Sequence, residues 1–440
     1  MPGPDINGIS IDSRTTNPGD LFIALAGDPG PKYNTAYASA RDGHEFIAAA
    51  ETAGASALLV SRDIKSNLPR ITVDNTLDGL WMIAAAARER MEGKVIGITG
   101  SSGKTTARTW LESILNEQAA THASTGSYNN HWGVPLSLAR MPADSAFGVF
   151  EIGMNHPGEI EPLSKLVRPE VAIVLNVLPA HLGSFENLEG IRQEKLSIAR
   201  GLVSGGSLVV HEAIDTKNLD RRHFISFGVG TTAMVRGVVT YDNGSCMVDT
   251  IIEGKHYPFS FKTGGEPRIL TSLACLATVY ALGGDVDHAC RTIPSLQTLA
   301  GRGNALVVSG RTIIDDSYNA NPVSMRYAIE ALARSTGKRF ALLGEMLELG
   351  PESQSLHVSL LESCLSLDGV ITVGEGFAEA SQILGDIHLG HHDFIEDLDP
   401  ESLVTLLEVG DTLLVKGSNK VFWVHGFVAT LERALRNSAP

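Results

Sequence analysis

The decapeptide ITGSSGKTTA (residues 98–107) combines two glycines, two serines, a lysine and three threonines in a stretch that follows an apolar run, Val95–Ile98, and precedes a helix-forming stretch, Arg108–Leu115. Gly100 and Gly103 permit backbone angles that other residues avoid, so successive N–H groups can converge on an oxygen-rich anion. A helix that starts directly after such a loop directs the positive end of its dipole at the same point. Lys104 adds a mobile cation and Thr105 a hydroxyl suited to Mg²⁺. The spacing departs from the strict G-x-x-x-x-G-K-[ST] pattern, because Gly97 stands one residue too early. Strand before, helix after and the GKTT run still predict a phosphate-binding loop for ATP or GTP. Motor and GTPase readings would need a Walker-B aspartate and a base-reading motif such as N-K-x-D, and no such tetrapeptide stands in a suitable place.

Other candidates are less distinctive by themselves. Glu151 ends an apolar run in VFEIGMNHPGEI, where a carboxylate would face the ligand edge of a sheet. His181 in NVLPAHLGSF follows another such run, and Lys195 in IRQEKLSIARGL reads by pattern as a solvated helix position.

The elements that must position these residues follow an alternating rhythm. Short strand-like runs (Leu21–Leu25, Ala57–Val60, Ile71–Val73) and the helical stretch Leu80–Met91 form a first segment, 1–92. In the second, 93–300, Phe147–Ile152, Val171–Val177 and Ser207–Val210 read as buried strands separated by helix-sized stretches. Shorter alternating runs over Met234–Phe261, with N-G and E-G-K breaks, predict hairpins added at a sheet edge, and a helix is predicted over Ile269–Leu282. The third segment, 301–440, opens with the hinge-like GRG turn and repeats the rhythm in Thr312–Asp315, Phe340–Leu343, Gly369–Val373 and Thr412–Lys416. The pattern predicts an α/β protein of three domains. These are a small N-terminal α/β domain, a central P-loop mononucleotide-binding domain with a mostly parallel sheet, and a C-terminal Rossmann-like domain.

Composition agrees. The 440 residues are 43% hydrophobic and 19% charged, and the net charge of -15 opposes nucleic acid as a partner. Cys246, Cys275, Cys290 and Cys364 lack metal-type spacing and read as reduced thiols. The first residues carry no signal-peptide pattern and no run is long enough to span a membrane, so a cytoplasmic monomer acting on small molecules is the expectation.

The series TGSSGKTT, SYNNHWGVP, FEIGMNHPGEI, AHLGSF and DDSYNANPVSM resembles the Mur ligases, the ATP-dependent amide ligases of peptidoglycan precursor synthesis. DSRTTNPGDLFIALAG and LLGEMLELGPES extend the resemblance over nearly the whole chain. It implies joining a carboxylate donor, UDP-N-acetylmuramoyl-tripeptide, to an amine, D-alanyl-D-alanine, through an acyl phosphate and a tetrahedral intermediate, with ADP and phosphate released. By motif, Gly100, Ser102, Gly103, Lys104, Thr105 and Thr106 would cradle the ATP phosphates. Thr105, Glu151 and His181 would hold Mg²⁺, and Lys195 matches a lysine that is carbamoylated to support a second Mg²⁺. Asn129 and Asn130 would lie near nucleotide, metal and substrate. Arg302, Asp316, Tyr318, Asn319 and Asn321 would close over ATP and the dipeptide, and Ser13 and Arg14 would help bind UDP.

Three stretches depart from the family pattern. The segment before Ser10 lacks a usual helix–strand unit while Pro29–Ala40 is added. Pro267, Arg268 and Thr271 stand where a G-x-H-N-x-x-N signature is expected. KGSNKVFWVHGF keeps Lys416, Gly417 and Ser418 but loses the usual continuation. All three fall at recognition surfaces, so two alternatives remain open: a paralogue joining another acid and amine in specialised metabolism, or a non-catalytic nucleotide-binding descendant.

Overall fold

The computed structural model describes residues 5–30, 32–33, 38–39, 41–179, 184–185, 187–217, 219, 223–242, 245–261 and 265–438. Its strands form three separate sheets. The first is four-stranded and parallel, in the order β1 (Gly8–Ser10), β2 (Asp20–Ile23), β3 (Ala57–Val60), β4 (Arg70–Thr72). Helix Thr76–Arg90 leaves this sheet and packs against the central domain. Buried Arg88 ties it down by donating to the carbonyls of Val167 and Arg168 at 2.8 Å each and by pairing with Glu170 at 3.0 Å.

The central sheet comprises β5 (Lys94–Thr99), β6 (Thr121–Ala123), β7 (Phe147–Glu151), β8 (Val171–Val174), β9 (Ser207–His211), β10 (Phe224–Gly228), β11 (Val235–Asp242), β12 (Ser245–Ile252) and β13 (Lys255–Phe261). Its spatial order is β13-β12-β11-β10-β9-β8-β5-β7-β6, parallel from β6 to β11 and antiparallel beyond. Alternation of side chains along a strand sends neighbours to opposite faces. Ile96, Ile98, Val171 and Ile173 pack with helices Lys104–Asn116 and Glu266–Ala281, whereas Val95, Phe150, Ala172 and Val174 pack with helices Thr76–Arg90 and Ile160–Val167. The chain passes from β5 out to β6 and β7, then returns to the other side of β5 as β8. The resulting crevice at the carboxyl end of β5 is where such sheets bind ligands.

The third sheet has the order β14 (Asn304–Val308), β15 (Arg311–Asp316), β19 (Thr412–Lys416), β16 (Arg339–Gly344), β17 (Gly369–Val373), β18 (His388–His392), with an antiparallel β14–β15 edge and parallel pairing elsewhere. Several sequence expectations are corrected at their ends. The phosphate-loop helix begins at Lys104, not Arg108, because the loop itself ends at Gly103. The strand predicted over Val171–Val177 stops at Val174, where the chain turns to brace that loop. The helix placed at Leu80–Met91 begins at Thr76, capped by the Asn75 side chain. All four cysteines are buried free thiols.

Candidate functional site

Gly103 adopts a left-handed conformation, φ 79°, and directly precedes the helix whose first residue is Lys104. That geometry favours glycine and lets the loop 100–103 curl over the helix start. Asn176, just beyond β8, braces the loop from outside: its Oδ1 accepts from the Ser102 N–H at 3.0 Å, and its Nδ2 donates to the Ser102 carbonyl at 3.2 Å. The Lys104 amine folds back onto the Gly100 carbonyl at 2.8 Å.

Glu151, at the carboxyl end of β7, lies beside β5 and is only 2% exposed. Its two oxygens accept from the Thr105 hydroxyl at 2.8 Å and from Asn129 Nδ2 at 2.7 Å. One carboxylate therefore links the phosphate loop to the SYNN loop. Asn130 acts differently: its Oδ1 accepts at 2.9 Å from the N–H of Gly133, the first residue of helix Gly133–Ala139.

Lys195 overturns its pattern reading. It is 3% exposed, on the face of helix Leu188–Leu196 that also buries Ile191, and among the described residues its amine reaches only the Met154 sulfur at 3.9 Å. Burial, and secondarily the charge of Lys104, hold its pKa well below the ordinary lysine value. Burial also lowers the pKa of Lys104, with Glu151 opposing the shift and Arg302 adding to it.

The third domain supplies the opposite wall. The Arg302 guanidinium stacks 4.0 Å from the centre of the Tyr318 ring. Across the domain boundary, the Tyr318 hydroxyl meets the Ser127 hydroxyl at 3.0 Å and Arg302 Nη2 approaches it at 3.5 Å. Asp316 pairs with buried Lys416 at 2.5 Å, and Lys416 also donates to the Asn319 carbonyl at 3.1 Å. Asn321 caps helix Pro322–Leu332, its Oδ1 accepting from the Ser324 N–H at 2.9 Å.

A cleft of about 2000 Å³ runs between these walls. Of the residues singled out in the sequence, Ser102 to Thr106, Asn129, Asn130, Glu151, Arg302, Asp316, Tyr318, Asn319 and Asn321 line it. Lys195 lies behind Met154, which is itself on the lining. Gly100 stands at the base of the loop, gripped through its carbonyl by Lys104. Ser13 and Arg14 lie apart, in the turn after β1, and Arg14 is held by Asp12 at 2.6 Å in a solvent-exposed pair. His181 lies outside the described residues, as does part of the added segment Pro29–Ala40. Of the altered recognition residues, Arg268 lies 4.1 Å over the Phe261 ring and donates to the Leu296 carbonyl at 2.9 Å, while the Thr271 hydroxyl bonds back to the Pro267 carbonyl at 2.8 Å. Sequence reasoning passed over Asn176 and Ser127. The only signals for them were an amide residue just beyond a buried strand and a hydroxyl beside Gly126.

Comparison with known proteins gives the family of the chain. The family patterns described as "Mur ligase middle domain" and "Mur ligase, glutamate ligase domain" match residues 98–279 and 301–419. The UDP-N-acetylmuramoyl-tripeptide–D-alanyl-D-alanine ligase of Escherichia coli K12 is 31% identical, across 95% of this chain and 92% of the relative. The ligase of the same name from Bacillus subtilis 168 is 31% identical across 84% and 80%. A crystal structure of MurF from Acinetobacter baumannii superposes with a TM-score of 0.86 at 30% identity, over 98% of this chain and 95% of that one. MurF ligase from Thermotoga maritima, solved in complex with ADP, gives 0.83 at 28% identity over 99% and 100%. The chain belongs to the Mur ligase family and aligns along nearly its whole length with MurF members of it.

Proposed function

We propose that this protein is an ATP-dependent amide ligase that joins UDP-N-acetylmuramoyl-tripeptide to D-alanyl-D-alanine, releasing ADP and phosphate. The observation that carries the reading is the pairing of walls. The phosphate loop with Lys104, Thr105 and Glu151 faces Arg302 and Tyr318 of another domain across one cleft. A polyphosphate suits that arrangement of cations. A carboxylate is a poor acyl donor, and transfer of the γ-phosphoryl group to its oxygen creates a leaving group. The amine then attacks the carbonyl carbon, and the tetrahedral intermediate expels phosphate and a proton. The residues named here chiefly position the reactants and neutralise developing charge.

Mg²⁺ fits the donor set, because the Thr105 hydroxyl and the Glu151 carboxylate are hard oxygen ligands meeting at the phosphate loop. Bound there, it would neutralise phosphate charge, with His181 as a further ligand. Lys195 supports the carbamate reading through its burial: an amine kept neutral retains the lone pair that attacks CO₂, forming an N–C bond and losing a proton. Among the described residues no helix is long and apolar enough to cross a membrane. We place the enzyme in the cytoplasm as a monomer acting on small molecules.

The test is phosphate release from ATP with Mg²⁺, comparing both substrates with each omitted. Release that needs both is the expected result. If neither substrate stimulates release in protein that binds ATP, the acid and amine are other compounds.

A further inference from the structure

The third departure from the family pattern, around Trp423, lies directly behind the hinge. Phe422 is fully buried, and a Cβ built on Gly417 or Gly344 would fall 2.6–2.7 Å from its ring, so those glycines make room for it. With Phe422 fixed, the next residue is presented outward, and Trp423 is 39% exposed. Its ring covers Gly301, where a built Cβ would sit 2.6 Å from Cζ3 and 2.7 Å from Cε3. Gly301 has φ 73°, donates its N–H to Asp315 Oδ2 at 2.8 Å and accepts from the Tyr318 N–H at 2.9 Å. Trp423 also meets the Tyr318 ring edge-on, with centroids 5.3 Å apart and planes at 72°. Tyr318 in turn carries the Arg302 guanidinium on its face and touches Ser127 of the central domain.

From this stack we infer that Trp423 is a positioning residue for nucleotide: it clamps hinge and Tyr318 together, and so aims Arg302 at the phosphate loop. The inference rests on the proposed ligase reading. Trp423 itself is not part of the cleft lining, so its influence passes through Tyr318, Gly301 and Arg302. Without the indole, Tyr318 loses its backing and the hinge its cover, and Arg302 is free to turn from the cleft. Aromatic pairs and guanidinium–ring stacking are individually modest, which sets the size of the effect.

The test measures binding of a non-hydrolysable ATP analogue to the full-length protein by calorimetry, for wild type, Trp423→Ala and Trp423→Phe. The expected result is a loss of about tenfold in affinity for Trp423→Ala, recovered to within about threefold by Trp423→Phe, which keeps an aromatic face. The nucleotide-free melting temperature should stay near that of wild type, because the indole is partly in solvent. If Trp423→Ala does not fold, Trp423→Leu keeps apolar cover over Gly301 without an aromatic ring and should show the same loss. Equal affinity in wild type and the Ala or Leu variant overturns the positioning role, and so does a loss that Phe leaves uncorrected. Wild type that binds no analogue overturns the ligase reading beneath it, and the two failures are thereby distinguishable.

Discussion

Replacing Lys195 by methionine should make the ligand-free protein more stable while abolishing ligation. The amine is 3% exposed and, among the described residues, meets only a thioether at 3.9 Å. A buried polar group left without a good partner costs about 1–3 kcal/mol. The charge of Lys104, which helps hold the amine neutral, adds to the cost of protonating it in place. Methionine fills a similar volume, carries no charge and lies naturally beside Met154. For a domain of roughly 150–250 residues, 1 kcal/mol shifts melting by about 2–4 °C, so a rise of roughly 2–12 °C follows for the central transition. The assay is scanning calorimetry at pH 7 in bicarbonate-free, metal-free buffer, comparing Lys195→Met with wild type. The same preparations are then assayed for phosphate release. A variant that melts at or below the wild-type temperature would refute the claim that this lysine is kept at the expense of stability. A variant with full activity would refute its role in the reaction.

Lys104→Ala should abolish ligation and leave the melting temperature within about 1 °C, since the amine's hydrogen bond is to the Gly100 carbonyl within its own loop; near-normal turnover by that protein would count against the phosphate assignment. Gly301→Ala should destabilise the third domain by about 1–3 kcal/mol, because φ is 73° and the new methyl meets the Trp423 ring at 2.6 Å, and an unchanged urea midpoint would contradict the packing described for the hinge. Acid should weaken the fold through buried imidazoles. His357 Nε2 accepts from the Met346 N–H at 2.9 Å, so Nδ1–H donates to the Ser353 carbonyl at 2.7 Å, and burial lowers its pKa below the ordinary value of 6.5. As pH falls below 6.5 the unfolded chain takes a proton that the folded chain refuses, so this stability is present above that pH and declines below it by up to about 1.4 kcal/mol per pH unit per group. Urea midpoints at pH 7.0 and 5.5 should show the decline, with part of it missing in His357→Gln.

What could be read in the sequence was local. The phosphate loop announces itself because its glycines, lysine and hydroxyls act within eight residues, and strand–loop–helix order can be seen from hydrophobic runs alone. Lys195 could not be found that way. The sequence around it, RQEKLS, has the charge of a solvated helix surface, and only the packing of that helix with Ile191 turned inward shows that the lysine is buried. Ser127 was invisible for a related reason: its partners Tyr318 and Arg302 are about 175 to 190 positions away and belong to another domain. The β14–β15 hairpin was legible and passed over. Ser309 and Gly310 sit between paired Val308 and Arg311 with φ of 48° and 77°, the left-handed turn that S-G between apolar runs signals. Strand β18, LGHH within His388–His392, has neither alternation nor branched residues and owes its form to pairing with β17.

The division of the cleft between two domains has a consequence for the order of events under the proposed function. Arg302 lies near enough to the Lys104 amine for its charge to add to burial in disfavouring the protonated amine. With nothing between them, that repulsion opposes closure, while the contacts across the boundary include a hydroxyl pair at Ser127, a long guanidinium approach and Arg334 lying 5.7 Å from the centre of the Tyr241 ring. A triphosphate placed between the two cations reverses the sign of the interaction, so nucleotide converts an unfavourable approach into a favourable one. Under the proposed function, closure would then be completed on binding, with Arg302 drawn to the phosphates once they are there to hold. Under the proposed function, keeping the second cation on the third domain would couple acid activation to the arrival of the wall that also carries Asp316, Asn319 and Lys416.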